Sequence, residues 1–291
     1  MNEVRYAIVN LLRVAQSFPA APRIMAQLGR LLHDPDATLD EVTVNLKLDS
    51  TLAAKLLRMA NSAAFAQGNP ISSISDAAAL IGLREIHRLV GAAAIDHFSQ
   101  RNYPVYGFTG ARLRDNSILV ALLMEELSTA AREDPSTAYS AGLFRSLGKL
   151  TLAKIADEHA PAPTGYHPAA GVPLVSWEKQ AFCVTSNEAA AAVLKEWQFP
   201  AELTQAIGGH YAPAANERPL TGLLNLAASL AEQLGHGLPG ETAYWLPLAK
   251  TDLVAGLGAH HIERATERTV IAFDRINLAL GSPQPQYQTA I

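Results

Sequence analysis

The chain has 291 residues and a formal net charge of −4, and 49% of its residues are hydrophobic while 17% are charged. This balance predicts a globular protein and excludes an intrinsically disordered chain. The net negative charge lacks the overall basic character of a dedicated nucleic-acid-binding protein. No apolar run approaches the roughly 18 residues of a membrane span, and the N-terminus MNEVRYAIVN lacks the long apolar core of a signal peptide. We therefore predict a cytoplasmic protein that binds neither nucleic acid nor membrane.

The first half of the chain is predicted to be a bundle of helices. Apolar residues follow a helical pattern in the segments 22–32, 49–60 and 76–98, the last of them interrupted at a glycine. Asp49 is the predicted N-cap of the second helix, and its apolar stripe makes Leu56 and Leu57 predicted core residues. Thr38 and Glu41 have the T-x-x-E spacing of a capping box, which predicts a further helix start.

The second half of the chain continues the helical pattern after a loop over 99–111 that contains a proline and two glycines. Helices are predicted over 113–131, 138–158 (as one or two), 188–197, 218–234 and 260–280. Thr185 and Glu188 form another capping box, and Pro200 suits the start of a further helix. No segment alternates with period two, so we predict an all-α, two-lobed helical bundle with lobes at 1–105 and 106–291.

Motifs for catalysis and cofactor binding are lacking. None of the nine histidines belongs to an H-E-x-x-H pair, and there is neither a G-x-S-x-G elbow nor a complete phosphate-binding loop. The single cysteine, Cys183, has no cysteine to pair with and is predicted to be a small core residue. We predict no catalytic residue, no metal site and no cofactor.

One helical face carries basic residues. Arg84, His87 and Arg88 lie at positions i, i+3 and i+4, so they project together from a helix. Arginine offers planar, bidentate donors that suit carboxylates and phosphates. These three residues are therefore a candidate docking site for an acidic protein partner or an anionic ligand, and the alternative is an ordinary solvated surface.

Two stretches of the first half follow a family pattern: FPAAPRIMAQLGRLLHDPDATLDEVTVNLKLDSTLAAKLLRMANSAAF and then GNPISSISDAAALIGLREIHRLVGAAA. In these stretches the chain resembles the HDOD domain, the HD-related output domain of bacterial signalling proteins, and the resemblance runs from about residue 12 to about residue 213. The positions that match the family pattern are Pro19, Pro22, Leu56, Leu57, Asn61, Ser62, Ile71, Ser72, Gly82 and Leu83. Ser50 replaces the usual proline of the family.

The resemblance also relates residues 141–150, AGLFRSLGKL, to a metal-binding stretch of other enzymes. In the related HD-type phosphohydrolases this stretch would read AGLLHDIGKL, and its His-Asp pair binds metal. Arg145 and Ser146 replace that pair, and an arginine has no lone pair to offer a metal. The other expected ligand positions fall at Asn116, near Asn187 and near Ala228. His210 is the one ligand that remains, whereas catalytic metal sites need about three protein ligands.

Packing is the role that we expect AGLFRSLGKL to retain. Gly142 and Gly148 would let helices approach closely. Arg145 would point into the cleft that corresponds to the metal site of the HD-type enzymes, where it would meet an acid such as Asp115 or Glu188. Together with His210, Arg145 is a candidate ligand or partner site.

The resemblance implies a non-catalytic bacterial signal-transduction or regulatory protein of the response-regulator kind. It would dock a protein partner or sense a ligand, as an output of a two-component or cyclic-dinucleotide pathway. Two alternatives stay open at the level of sequence. One is a residual HD-type metal-dependent phosphohydrolase or phosphodiesterase, and the other is a nucleotide-binding sensor without turnover.

Overall fold

The computed structural model describes residues 10–32, 41, 43, 44, 46, 49–65, 70–158, 163–213, 219–246 and 257–281. Twelve α-helices lie wholly within these residues, and none of these residues forms a strand. The helices of the first half are α1 (Ala21–Leu31), α2 (Ser50–Ala60), α3 (Ile74–Ile81), α4 (Leu83–Phe98), α5 (Gly110–Ala131) and α6 (Pro135–Phe144). Those of the second half are α7 (Leu147–Glu158), α8 (Leu174–Phe182), α9 (Ser186–Glu196), α10 (Ala201–Gly209), α11 (Pro219–Ala231) and α12 (Ala259–Leu280). The predicted all-α class is confirmed.

Local capping signals in the sequence predicted several of these helix starts correctly. The Asp49 carboxylate accepts a hydrogen bond from the Leu52 amide at 2.9 Å and so caps α2. Thr185 and Glu188 form the predicted capping box at the start of α9. The capping box predicted from Thr38 lies outside the described residues.

The α2 helix buries Leu56 completely, as predicted, because this residue lies at the centre of the apolar stripe. Leu57 was predicted to belong to the core as well, but it is half-buried and packs against the edge of the core. It lies 100° further round the helix than Leu56, which carries it to the side of the stripe.

The central helix is α5, which packs against α4, α6, α11 and α12. It meets α6 at Gly142, where a Cβ atom would lie 2.7 Å from the Cα of Ala121. The helices α7 and α9 meet at Gly148, where a Cβ would lie 1.8 Å from the Ser186 carbonyl oxygen. The predicted close approach of helices at both glycines is confirmed.

Buried apolar side chains form one continuous core. It joins residues from both sides of position 105, since Phe18 packs edge-to-face on Phe98 at 5.2 Å and on Trp197 at 6.1 Å between ring centroids. The division into lobes at 1–105 and 106–291 stays a prediction. Within the part of the chain that the structure describes, no helix combines the length and apolar character needed to cross a membrane.

The single cysteine is exposed, so its prediction as a core residue was wrong. Cys183 follows the last residue of α8 and closes the helix in the left-handed conformation, with φ of 60°. The α8 helix therefore ends before this side chain could turn towards the core.

Candidate functional site

Four polar side chains point into the space between α5, α7 and the end of α10. Each is carried by a helix or by a residue that follows one. Asn116 comes from α5, Arg145 directly follows α6, Lys149 lies in the first turn of α7, and Tyr211 lies just after α10. All four are buried. Buried polar groups of this kind need partners, because an unpaired charge in the interior costs several kcal/mol.

Glu241 supplies the partner for three of them. Its carboxylate accepts hydrogen bonds from Arg145 Nη1 at 2.9 Å, from Lys149 Nζ at 2.6 Å and from the Tyr211 hydroxyl at 2.7 Å. The second guanidinium nitrogen of Arg145 donates to Asn116 Oδ1 at 2.7 Å. We call these five residues the Glu241 cluster. The charged side chains of Arg145, Lys149 and Glu241 are only 1–2% exposed.

The sequence analysis predicted Asp115 or Glu188 as the acid that pairs with Arg145. This prediction was wrong, because the acid is Glu241. Asp115 pairs with its neighbour Arg114 at 2.8 Å, and Glu188 pairs with Lys179 at 2.6 Å. Asp115 follows Arg114 directly on α5, and Glu188 is engaged by its capping box, so neither reaches the cleft.

Glu241 arrives on a largely non-helical stretch between α11 and α12, which we call the 237–246 segment. The Asn225 side chain of α11 fixes it, because its amide nitrogen donates to the carbonyls of His210 and Tyr244, both at 2.8 Å. The Asn225 side-chain oxygen in turn accepts from the Leu246 amide at 2.9 Å. One side chain thus ties the 237–246 segment to the end of α10.

Aromatic rings complete the attachment of this segment. Tyr244 stacks on Tyr211 with 4.6 Å between ring centroids. The Arg145 guanidinium lies over the Trp245 ring at 5.6 Å, a cation–π contact. Trp245 also donates its indole N–H to Glu232.

The cluster strongly favours the ionised form of the Glu241 carboxyl. Burial raises the pKa of this carboxyl, but Arg145 and Lys149 outweigh burial and lower the pKa to about 2. Burial, followed by repulsion from Arg145, lowers the pKa of nearby His210 to about 3. His210 is therefore neutral, and because its Nδ1 donates to the Ile207 carbonyl at 2.7 Å, its Nε2 carries a lone pair.

Several polar atoms around the cluster have no hydrogen-bond partner among the described residues. They are Arg145 Nε, Ser146 Oγ, Ser186 Oγ and His210 Nε2. All four belong to residues that are at least 95% buried. The region therefore has more hydrogen-bonding capacity than its own side chains use.

The positions at which the resemblance to HD-type enzymes would put metal ligands are buried. Ser146 directly follows Arg145, Asn187 lies at the start of α9, and Ala228 lies in α11. No group of three or more His, Cys, Asp or Glu residues that could hold a metal occurs among the described residues. The groups that converge here are instead two cations, a carboxylate, a phenol and an amide.

The predicted basic face of α4 is not a single exposed surface. Arg84 is exposed, but His87 is buried, with its Nε2 3.4 Å from the Ser140 hydroxyl. Arg88 is partly buried and pairs with Glu125 at 2.7 Å and with Glu85 at 3.2 Å. The spacing correctly put the three residues side by side, but α4 turns that side towards α5 and α6.

Glu241 and Tyr211 were not predicted as site residues from the sequence. Glu241 lies in LPGETAYW, which has no helical period and no motif. The one available signal is an acid placed directly after a Pro-Gly turn and before two small and two aromatic residues.

The fold is an all-helical bundle that encloses the buried, charged Glu241 cluster. The HDOD domain model matches residues 18–213, and the chain belongs to this family, which is related to the HD-type phosphohydrolases. The sequence resemblance is therefore confirmed. No curated protein matches the chain with statistical significance.

Solved structures share the fold at low sequence identity. A candidate phosphohydrolase from Shewanella amazonensis SB2B has a TM-score of 0.66 and 24% identity, over 94% of this chain and 97% of that one. An HDOD domain protein with unknown function from Geobacter sulfurreducens has a TM-score of 0.60 and 20% identity, over 96% and 94%. A candidate signal transduction protein from Marinobacter aquaeolei VT8 has a TM-score of 0.72 and 22% identity, over 96% of this chain but 64% of that one.

Proposed function

We propose that this chain is a non-catalytic regulatory module of a signalling pathway, which docks a protein partner or senses a ligand. The observation that carries the proposal is the Glu241 cluster. Arg145 and Lys149 are two buried cations that share Glu241, and Arg145 stands where the resemblance would put a metal-binding histidine. The family membership and the signal transduction protein with the same fold support a signalling role.

Electrostatics argue against hydrolysis by a metal ion in this cleft. A divalent cation would have to enter a site of low dielectric beside an arginine that cannot lose its charge. Glu241 is the carboxylate nearest to both cations, and it is already committed to them. The neutral side chains of Asn116, Ser146 and Ala228 offer no compensating negative charge.

The decisive experiment measures metal content and hydrolysis together. We expect the purified protein to contain no stoichiometric divalent metal by elemental analysis. We also expect no manganese-dependent hydrolysis of a cyclic dinucleotide or of a generic phosphodiester. Hydrolysis that requires manganese and disappears in His210→Ala would overturn the proposal in favour of a residual phosphohydrolase.

Docking and ligand sensing are separated by a second measurement. A ligand that binds only the folded protein raises its melting temperature. Thermal-shift screening against nucleotides and inorganic phosphate should therefore give a shift if the module senses a small anion. A flat screen, combined with a specific protein partner in pull-downs, supports docking instead.

A further inference from the structure

Three hydrogen-bond donors from separate parts of the fold converge on one carboxylate. Arg145 follows α6, Lys149 belongs to α7 and Tyr211 follows α10, and all three donate to Glu241 over 2.6–2.9 Å. An arrangement of guanidinium, ammonium and hydroxyl donors around an oxyanion is how proteins bind phosphate and carboxylate groups. Residues outside the 237–246 segment therefore supply three donors to one oxyanion.

The carboxylate that fills this site does not come from the helices that build it. Glu241 belongs to the 237–246 segment, which is fixed by Asn225 and by aromatic contacts instead of continuous helix. If this segment withdrew, Arg145 would still donate to Asn116, and Lys149 would still donate to the Tyr211 hydroxyl. Trp245, which covers Arg145, would move with it.

The balance of charge in the site is incomplete with Glu241 alone. Two buried cations, Arg145 and Lys149, share one carboxylate. Another buried acid, Glu178, is near Lys149, but its oxygens accept from the Tyr106 hydroxyl and the Ser186 amide, and burial raises its pKa. A dianion would match the two cations better than a monoanion does.

Hydrogen-bond donors without a partner also favour a phosphate over a carboxylate in this site. Arg145 Nε and the hydroxyl of Ser146 have no hydrogen-bond partner among the described residues. A carboxylate has two oxygens, both already engaged by the cluster, whereas a phosphate group has three or four. The additional oxygens of a phosphate are suited to the donors that Glu241 leaves unpaired.

We propose that Arg145, Lys149 and Tyr211 form a binding site for a phosphate group, which the chain's own Glu241 fills as an internal ligand. The inference rests on the ligand-sensing form of the proposed function and names its ligand class. A phosphate-bearing ligand would replace the Glu241 carboxylate and release the 237–246 segment. That release would transmit binding to the surface of the module.

Removal of Glu241 tests the site directly. In Glu241→Ala, inorganic phosphate should raise the melting temperature by about 2–4 °C or more above sodium chloride at equal ionic strength. The wild type should shift less, since Glu241 competes for the same donors. The effect should vanish in the double variant Glu241→Ala, Arg145→Met.

Glu178→Ala is the matched control, because it also removes a fully buried carboxylate, but one that accepts no hydrogen bond from either cation. Phosphate should not stabilise this variant beyond the effect of chloride. If Glu241→Ala does not fold, Glu241→Gln keeps the shape of the side chain, and binding of inorganic phosphate is then followed by equilibrium dialysis. Equal effects of phosphate and chloride on the folded Glu241 variant would overturn the proposal, as would equal rescue of Glu178→Ala.

The two proposals fail in different ways. Absence of phosphate binding removes the internal-ligand proposal and leaves a non-catalytic docking module intact. Manganese-dependent hydrolysis removes the non-catalytic function whatever the phosphate measurement gives.

Discussion

Arg145 and Glu241 are separated by 96 residues in the chain, and they form an ion pair of 2.9 Å that is almost entirely closed to solvent. An arginine side chain stays charged at every pH at which a protein folds. The fold therefore depends on an ionised Glu241, and this dependence gives the site measurable properties.

Glu241→Ala should lower the free energy of unfolding by about 3–5 kcal/mol, because it leaves two buried cations without their shared anion. Asp157→Ala is the comparison, since Asp157 pairs with Arg101 at an exposed position and should cost at most about 1 kcal/mol. Denaturant unfolding of both variants at low ionic strength measures the difference. Similar small losses in the two variants would show that the cluster contributes little.

The stability of the protein should fall in two steps on acidification. His210 has a pKa of about 3 in the fold and an ordinary value of 6.5, so only the unfolded chain binds this proton between those values. Stability supplied by neutral His210 is thus lost as the pH falls from 6.5 towards 3. Glu241 has a pKa of about 2 against an ordinary 4.5, so its contribution is lost from pH 4.5 towards 2.

Variants separate these two steps. His210→Gln should flatten the dependence of unfolding free energy on pH between 6.5 and 4.5, because it removes the imidazole whose pKa is lowered in the fold. Glu241→Gln should flatten the dependence below pH 4.5. An unchanged slope in His210→Gln would mean that the imidazole is not neutral in the fold.

Gly148→Ala should be strongly destabilising, because its Cβ would lie 1.8 Å from the backbone carbonyl of Ser186 and neither α7 nor α9 can yield locally. Gly29→Ala is the control within another helix, where a Cβ meets nothing within 4 Å. That change should stabilise the protein by up to about 1 kcal/mol through helix propensity. Thermal melts of the two variants should therefore move in opposite directions.

Neighbouring leucines of α2 provide another matched pair. Leu56→Ala should cost about 2–5 kcal/mol, because this side chain is completely buried. Leu57→Ala should cost clearly less, since part of its surface is already in contact with water. Equal losses by denaturant titration would contradict the orientation of α2 described above.

Two arginines of α4 should also differ in how much stability is lost when each is replaced by alanine. Arg88→Ala leaves the Glu125 carboxylate, which is only 5% exposed, without its cation and should cost about 1–3 kcal/mol. Arg84→Ala removes an exposed side chain and should change stability by less than about 0.5 kcal/mol. The reverse order would contradict the orientation of α4 described above.

Local signals in the sequence were sufficient for most of the fold. The N-cap Asp49 and the capping box of Thr185 and Glu188 act over three residues, so their effect can be predicted from spacing alone. The close contacts at Gly142 and Gly148 were predicted because the resemblance left packing as the expected role of AGLFRSLGKL.

The candidate site was harder to predict, because its contacts are not local. Spacing showed that Arg84, His87 and Arg88 share one side of a helix, but only packing decides which way that side faces. The Glu241 cluster likewise depends on a segment without periodicity, fixed by Asn225 through backbone carbonyls. Neither its position nor its acid could be derived from the pattern around Arg145.

The separation of Arg145 from Glu241 has a consequence for synthesis of the protein. A ribosome adds roughly 5–20 residues per second, so Arg145 and Lys149 leave it roughly 5–20 s before their anion exists. During that interval the cleft between α5, α7 and α10 must stay hydrated, because closing it dry would strand two cations. The centre of the nascent chain is thereby open to water and to cellular anions until residue 241 has been made.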